Sequence, residues 1–193
     1  MLLLKILWHV VAFFVYPFFR RSYAQQLYTH WVERNRLKFQ RTKRFSVIGS
    51  GFLYHDAGAF GEVYISPCRR FILKKSQTYS CDSGYSAYLK VIMQNQGNPY
   101  VPKVYACLQN GESQVVLMER LHTTTFAQYP TIKRLRQKLQ CHDADVADPQ
   151  LRPILEALCQ LLDEGHHNDL REKNVLRRKT PHGDELVITD PLS

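Results

Sequence analysis

Three side chains that carry oxygen atoms cluster near the end of this 193-residue sequence. Asp169 and Asn174 lie five positions apart in the stretch GHHNDLREKNVL, and Asp190 follows in VITDPLS. Mg²⁺ prefers oxygen ligands and usually binds one or two protein carboxylates together with substrate phosphates. A further carboxylate that orients a hydroxyl would complete a phosphoryl-transfer site. The pattern predicts that Asp169, Asn174 and Asp190 together form a phosphoryl-transfer site with Mg²⁺.

A glycine-rich stretch earlier in the chain has the character of a phosphate-binding turn. In GAFGEVYI, Gly58 and Gly61 flank Phe60, and an alternating strand follows. Glycine allows backbone N–H groups to approach phosphate closely, and the aromatic ring could close over it. Val63 on the emerging strand would offer an apolar surface to a base. Such hairpins are common, so this motif alone is a weak signal.

The strand predicted for FILKK supplies a cation at the expected place. Alternate residues of a strand share a face, so Ile72 and Lys74 lie together while Lys75 points the other way. A lysine at the inward end of a strand that follows a glycine hairpin can reach the α and β phosphates of a nucleotide, which selects Lys74. The other interpretation of this residue is an ordinary lysine on an edge strand.

The remaining patterns predict the elements that position these residues. Tyr85, Tyr88, Leu89 and Ile92 are spaced as on one face of a helix. A second helix is predicted from Asp148 as its cap to Gly165 as its end, directly before the catalytic stretch. Strands are predicted in three further segments, NPYVPKVYACL, SQVVLMERL and ELVITDPLS.

HHNDLREKNVL resembles the catalytic loop H-R-D-L-x-x-x-N of protein kinases. By this resemblance His167 falls on the motif's histidine, Asp169 on its catalytic aspartate and Asn174 on its metal-binding asparagine. Asp190 takes the place of the metal-binding aspartate of D-F-G. The similarity runs from about residue 46 to the end of the chain.

The same resemblance assigns roles to four further residues. Lys74 matches the strand lysine of V-A-I-K, and Met118 in VVLMERL corresponds to the gatekeeper before the hinge, followed by Glu119. Arg171 replaces the usual catalytic-loop lysine and can still neutralise phosphate, with a planar fork instead of a point charge. ATP and Mg²⁺ are the implied cofactors.

The stretches GAFGEVYISP, DSGYSAYLKV, VPKVY and VITDPLS resemble the early serine/threonine protein kinases of T-odd podophages. That family implies transfer of the γ-phosphate of ATP to Ser or Thr of host proteins in a bacterial cytoplasm. The implied fold is α+β, a minimal kinase-like bilobal arrangement. A small antiparallel sheet packs on one helix, a truncated helical lobe carries the catalytic loop, and ATP lies between the lobes.

The sequence also departs from the kinase pattern. Asp56 stands where the first glycine of the phosphate loop is expected. No glutamate lies between Val63 and Gly111 to pair with Lys74, so either Asp82 or Glu62 substitutes or the lysine is unpaired. No activation loop or peptide-docking helices follow D-P in this sequence. These departures keep open a pseudokinase that binds without turnover.

The N-terminal region combines an apolar run with a basic run. Leu2–Phe19 is apolar except for Lys5, His9 and Pro17, and eight Lys or Arg against one acid follow between Arg20 and Arg44. The predicted domains are therefore an apolar helix (1–21), a basic juxtamembrane segment (22–45) and the kinase-like domain (46–193). Leu2–Phe19 would anchor the protein in the inner membrane, with an interfacial helix or a buried helix as alternatives.

The basic segment suits an anionic membrane surface better than nucleic acid, although aromatic residues are interleaved in it. The five cysteines are widely spaced without a CxxC pair, which favours reduced thiols over disulfides or a zinc site. The predicted membrane anchor also keeps a third function open. That function is a kinase of a lipopolysaccharide-core or other small sugar substrate.

Overall fold

The computed structural model describes residues 21–42, 45–47, 50–58, 61–77, 84–110 and 113–192. The described residues form two compact units, one within Met1–Tyr79 and Val104–Arg120, the other within Ser80–Lys103 and Leu121–Ser193. The predicted anchor Leu2–Phe19 lies outside the described residues. Within those residues, no helix is both long enough and apolar enough to cross a bilayer.

The first unit contains a five-stranded antiparallel sheet, which confirms the α+β class. Its strands lie in the spatial order β1-β2-β3-β5-β4. Alternation along β3 buries Phe71 and Leu73 on one face and leaves Ile72 and Lys74 on the other. The strands are β1 (Leu53–Gly58), β2 (Gly61–Ile65), β3 (Phe71–Gln77), β4 (Val104–Asn110) and β5 (Ser113–Glu119).

Two helices, α1 (Arg21–Arg34) and α2 (Arg36–Thr42), cover the face of the sheet that carries Phe71 and Leu73. Ala24, Tyr28 and Val32 recur every four residues on α1 and are buried, as helical periodicity requires. The Tyr28 ring lies 5.0 Å from that of Phe52 and 5.5 Å from that of Phe71, in edge-to-face contacts. Burial of this stripe fixes the helix on the sheet.

The core of the first unit therefore begins well before residue 46, where the predicted kinase-like domain starts. Tyr28, Phe39 and Phe45 from the segment named juxtamembrane are 2%, 1% and 5% exposed. Trp31 stacks on Phe52 with ring centroids 5.7 Å apart. The high net charge of the segment does not reveal that it carries a stripe of buried apolar residues. Its aromatic rings serve the core and are not presented for stacking on bases.

The second unit contains three helices and a small antiparallel sheet in the order β6-β7-β8. The register of the β7–β8 hairpin runs from Val175 opposite Ile188 to Thr180 opposite Gly183. The elements are α3 (Gly84–Gln94), β6 (His122–Thr123), α4 (Tyr129–Gln140), α5 (Arg152–Asp163), β7 (Val175–Thr180) and β8 (Gly183–Ile188).

Helix α3 confirms the helix predicted around Tyr88. Its apolar residues are buried as expected, and the helix belongs to the second unit, where it contacts α5. Tyr88 is fully buried, and its hydroxyl donates a hydrogen bond to the Ile188 carbonyl at 3.1 Å. The helices that cover the five-stranded sheet are α1 and α2. Periodicity identifies the buried side of a helix but not the element that covers it.

Helix α5 leads into the loop that carries Asp169. It begins at Arg152, later than predicted, because the Asp148 carboxylate accepts bonds from the Gln150 and Leu151 amides in a preceding turn. The helix ends at Asp163, and Gly165 follows with a φ of +100°, a left-handed conformation that favours glycine. The chain then turns towards β7.

Candidate functional site

The loop that carries Asp169 is held by backbone bonds to the end of the chain. The Asp169 amide donates to the Pro191 carbonyl at 2.8 Å, and Asn168 forms an isolated antiparallel bridge with Leu192. A short 3-10 turn, Glu172–Asn174, then leads directly into β7. Asp169 is thus fixed beside the residues that follow β8.

Asn174 is buried and its amide group is oriented by two hydrogen bonds. Its Nδ2 donates to the Asp169 carbonyl at 2.7 Å and to Asp169 Oδ2 at 3.1 Å. Both amide hydrogens are used in this way, so Oδ1 points away from Asp169. It accepts no hydrogen bond from any other residue that the structure describes, which leaves it as an oxygen donor for a ligand.

Asp190 reaches the same place through the β7–β8 hairpin. Val175 pairs with Ile188, so the residues on either side, Asn174 and Thr189, also lie opposite each other. The backbone amide and the hydroxyl of Thr189 both donate to the Asn174 carbonyl at 2.9 Å. Asp190 is the next residue. The structure therefore brings together Asp169, Asn174 and Asp190, the three residues predicted from the sequence.

Asp169 carries one carboxylate oxygen without a hydrogen bond. Oδ1 is buried and contacts Nε of Arg171 as an ion pair, without the alignment of a hydrogen bond. The Asp169 side chain is 19% exposed, whereas that of Arg171 is 55% exposed. The arginine is therefore the more exposed partner. If its guanidinium turned towards solvent, Oδ1 would be left as a hydrogen-bond acceptor.

Asp190 also lies close enough to Tyr88 to affect its titration. Burial raises the pKa of the Tyr88 phenol, and the negative charge of Asp190 raises it further. Tyr88 therefore stays neutral at physiological pH and holds the end of β8 through its bond to the Ile188 carbonyl. The sequence pattern predicted Tyr88 only as a core residue, because nothing in its spacing links it to Asp190.

The donor chemistry of this cluster fits a hard divalent cation. Asn174 offers an amide oxygen, Asp190 a carboxylate and Asp169 a buried carboxylate oxygen. In the part of the chain that is described, no three His, Cys, Asp or Glu side chains form a metal-binding group. A metal held here would need substrate phosphates to complete its coordination, which is the usual arrangement for Mg²⁺.

The residues predicted to contact nucleotide lie on the first unit. Val63 pairs with Lys74 and Lys74 with Val116, so these three share one face of the sheet. Ile72 pairs with Met118 on the same face, two residues along β3 from Lys74. This is the face not covered by α1 and α2. The expectation that Ile72 and Lys74 share a face is confirmed.

The glycine hairpin is present, with a structural reason for one of its glycines. Gly58 ends β1 opposite Gly61, which begins β2, while Phe60 lies outside the described residues. A Cβ on Gly61 would lie 2.6 Å from the Lys75 carbonyl oxygen of the next strand. Close strand pairing therefore requires this glycine whether or not a phosphate binds above it.

Two further predicted residues, Glu62 and Glu119, have defined places. Glu62 pairs with Lys75 across the strands at 3.3 Å, on the face opposite to Lys74, so the register disfavours it as the partner of Lys74. The hydrogen bond from Tyr64, and then that from Lys75, lower the pKa of Glu62. Asp82 lies outside the described residues. Glu119, at the end of β5, is 2% exposed.

The polar pocket beside the catalytic loop was not predicted from the sequence. An open cavity of about 490 Å³ in the second unit is lined by Arg171 and by Thr123, Thr124, Tyr129, Glu172 and Lys173. Of these six lining residues, only Arg171 is predicted from the sequence as a site residue. The repeated threonines of LHTTTF were the available signal, but their proximity to the loop depends on the pairing of β6 with β7.

Comparison with known proteins adds no family to this geometry. None of the protein-family models scanned matches the sequence, and no curated protein is significantly similar to it.

Proposed function

We propose that this protein is an ATP-dependent serine/threonine protein kinase of minimal kinase-like fold. The observation that carries the proposal is the convergence of Asp169, Asn174 and Asp190 at the end of the β7–β8 hairpin, held by five hydrogen bonds. Separately, each residue would be an ordinary loop residue. Together they provide an acceptor for a hydroxyl proton and two oxygen ligands for a cation.

The reaction joins the hydroxyl oxygen of Ser or Thr to the γ-phosphorus of ATP and breaks the bond from that phosphorus to the ADP oxygen. Asp169 orients the hydroxyl and accepts its proton through Oδ1. Asn174 and Asp190 would hold Mg²⁺, which neutralises charge on the phosphates when bound. Arg171, after leaving Asp169, can pair with the transferred phosphoryl group.

Residues of the first unit have their own proposed roles. Lys74 would bind the α and β phosphates, and the Gly58–Gly61 turn would approach them through backbone N–H groups. Val63, Ile72 and Met118 would contact the adenine, with the Glu119 backbone at its edge. The substrates would be proteins of a bacterial cytoplasm, with Leu2–Phe19 as a membrane tether and a phage as the source of the gene.

A pseudokinase or binding module is the second candidate, and one observation favours it. The Arg171 guanidinium contacts the carboxylate that should receive the hydroxyl. Asp56, exposed near the end of β1, also occupies the position of a loop glycine. An Arg171 that keeps its contact with Asp169 after nucleotide binds would block the proton acceptor and leave only binding.

The test is transfer of labelled γ-phosphate from ATP with Mg²⁺, using the full chain in detergent and a bacterial lysate as acceptor. Asp190→Ala should abolish label on Ser and Thr. Asp145→Ala is the matched control, because that side chain is 88% exposed and away from the catalytic loop in sequence. Its activity should equal that of the unmodified chain.

Three results would contradict the proposal in different ways. Equal protein labelling by the Asp190→Ala variant would remove Asp190 from the site. Label confined to the lipid fraction would favour the sugar kinase of lipopolysaccharide-core type. A complete absence of label, together with a nucleotide-dependent rise in the melting temperature, would favour the binding module.

A further inference from the structure

The cavity beside the catalytic loop belongs wholly to the second unit, and its walls are tied to that loop. The Arg177 Nε donates to the Thr123 carbonyl at 2.8 Å, and Thr123 pairs with Leu176 of β7. The Thr124 hydroxyl donates to the Glu172 carbonyl at 3.4 Å. Thr123 is thus positioned by β7, and Thr124 by the turn that carries Asn174. Arg171 contacts Asp169 and also lines the cavity.

The cavity presents more donors and cations than acceptors. Arg171 and Lys173 contribute two positive charges against the one negative charge of Glu172, and three hydroxyl groups come from Thr123, Thr124 and Tyr129. Lys173 is exposed and forms no ion pair with a residue that the structure describes. An oxyanion entering this space would gain charge-assisted hydrogen bonds, the stronger class of polar contact.

Helix α4, which starts at the cavity with Tyr129, extends this positive character. Its twelve residues include four basic side chains and no acidic one. Lys138 is paired with Asp143 at 2.6 Å, whereas Lys133, Arg134 and Arg136 are exposed. Ile132, Leu135 and Leu139 face the interior, so the cations lie on the outer surface. The potential along this side of the unit therefore attracts acidic partners.

An aromatic platform at the edge of the cavity points to a peptide as the partner. The Phe126 side chain is 86% exposed, the largest exposure among the large hydrophobic residues described. Its ring centroid lies 5.1 Å from that of Tyr129, which lines the cavity. An exposed aromatic beside a polar pocket is typical of an interaction surface that combines an apolar contact with a charged one.

We propose that this cavity is a substrate subsite for an acidic peptide whose acceptor Ser or Thr lies close to an Asp, Glu or phosphorylated residue. The acidic group binds Lys173 and the hydroxyl groups of Thr123 and Thr124, and an apolar side chain of the peptide rests on Phe126. The inference rests on the proposed kinase function, since it places the acceptor hydroxyl beside Asp169. The contact of Arg171 with Asp169 links the subsite to the catalytic carboxylate.

The experiment compares two fluorescent peptides with one central Ser and one Phe, which differ only in flanking Glu or Gln residues. Binding to the full chain in detergent is measured by anisotropy, and phosphoryl transfer is measured separately. The Glu peptide should bind about tenfold more tightly, as expected for one or two charge-assisted contacts. Lys173→Ala should remove most of this preference, whereas Lys173→Arg should retain it.

Matched variants separate the subsite from general charge effects. Lys90→Ala removes an exposed lysine of α3 and should leave the preference unchanged. Phe126→Ala should weaken both peptides by a similar factor. Equal binding of the two peptides would overturn the inference, as would an equal loss of preference in Lys90→Ala. Transfer to glucose 6-phosphate but to neither peptide would overturn the assignment of a peptide substrate.

The binding and transfer results distinguish failure of the inference from failure of the proposed function. Selective binding of the Glu peptide without any transfer would retain the subsite and reject the kinase activity. Transfer to both peptides at the same kcat/KM, with equal affinities, would retain the kinase and reject the subsite. Selective binding together with a higher kcat/KM for the Glu peptide supports both.

Discussion

Asn174 joins the structural and chemical roles of the candidate site in one side chain. Its amide nitrogen holds Asp169 through two hydrogen bonds, and its amide oxygen is left for a ligand. Its backbone carbonyl accepts both bonds from Thr189, directly before Asp190. A single residue is thus bonded both to Asp169, the proposed catalytic carboxylate, and to the residue before Asp190, a proposed metal ligand.

Asn174→Asp tests this dual role because the two side chains have nearly the same shape. The new carboxylate cannot donate, so it would face the Asp169 carbonyl and carboxylate without hydrogen bonds and with like charge. We expect the free energy of unfolding to fall by about 1–3 kcal/mol and phosphoryl transfer to fall at least about tenfold. Urea unfolding and labelling of lysate proteins measure the two effects.

The control for Asn174→Asp is Asn98→Asp in the same unit. Asn98 also donates its Nδ2 to a backbone carbonyl, that of Gln150 at 2.7 Å, but at an exposed position. Water can replace that bond, so the expected loss is below about 1 kcal/mol. Equal losses in the two variants would mean that Asn174 has no special place in the site.

At the scale of elements, a phenol–carboxylate bond fastens the turn after α3 to the turn before α5. The Tyr100 hydroxyl donates to Asp148 Oδ2 at 2.5 Å, just before α5 begins. This bond is the largest influence that lowers the pKa of Asp148. Burial, and then the bond to Asp148, raise the pKa of Tyr100 to about 12. The same turn orients α5, which leads to the catalytic loop.

The lowered pKa of Asp148 sets the direction of a pH dependence. Its folded-state value lies below that of the unfolded chain, so the bond stabilises the fold above the unfolded value of about 3.9. The stabilisation is lost as the pH falls through the folded value. Tyr100→Phe should therefore lower the free energy of unfolding at pH 7, and its difference from the unmodified chain should shrink below about pH 4.

Urea unfolding at several pH values measures this difference, with Tyr54→Phe as the control. Tyr54 is 62% exposed, so loss of its hydroxyl should change little at any pH. A Tyr100→Phe difference that stays constant down to pH 2 would show that Asp148 is not its charged partner.

The elements also show which features a sequence can predict. Asp169, Asn174 and Asp190 could be selected because carboxylate and amide side chains beside strand ends are typical of cation sites, and a hairpin brings its two ends together. That Ile72 and Lys74 share one strand face followed from alternation alone. These are local properties, which depend on residues close together in the chain.

The features that could not be predicted depend on long-range packing. The buried stripe of Ala24, Tyr28 and Val32 could not be predicted from the net charge of α1 and α2, because net charge does not indicate which side of a helix is buried. The periodicity of α3 could not identify α5 as its neighbour. The cavity at Thr123 and Lys173 exists only because β6 pairs with β7, residues that lie about fifty positions apart.

At the scale of the whole molecule, α1 and α2 present cations outward because their aromatic residues are buried against the sheet. Arg34 and Arg41 are exposed and form no ion pair with any described residue, whereas Arg36 binds Glu33 at 2.6 Å. Leu37 between them is 68% exposed. An apolar side chain flanked by cations suits the interface of an anionic bilayer. We propose that this surface contacts anionic lipid.

Charge reversal at Arg34 and Arg41 tests the contact on vesicles. Each cation near an anionic surface contributes about 1 kcal/mol, so losing both weakens binding by roughly thirtyfold and reversal weakens it further. The variant Arg34→Glu/Arg41→Glu should lose affinity for vesicles rich in phosphatidylglycerol and keep its affinity for neutral phosphatidylcholine vesicles. Raised salt should reduce the difference, because it screens exposed charges.

The control reverses two exposed lysines elsewhere, Lys90→Glu/Lys179→Glu, and has the same net charge as the test variant. Cosedimentation with the two kinds of vesicle measures binding of the full chain. If the control loses as much affinity for anionic vesicles, the attraction comes from the overall charge of the protein and not from α1 and α2. If neither variant loses affinity, any membrane binding depends on apolar contacts alone, which leaves Leu2–Phe19 as the part of the chain to test next.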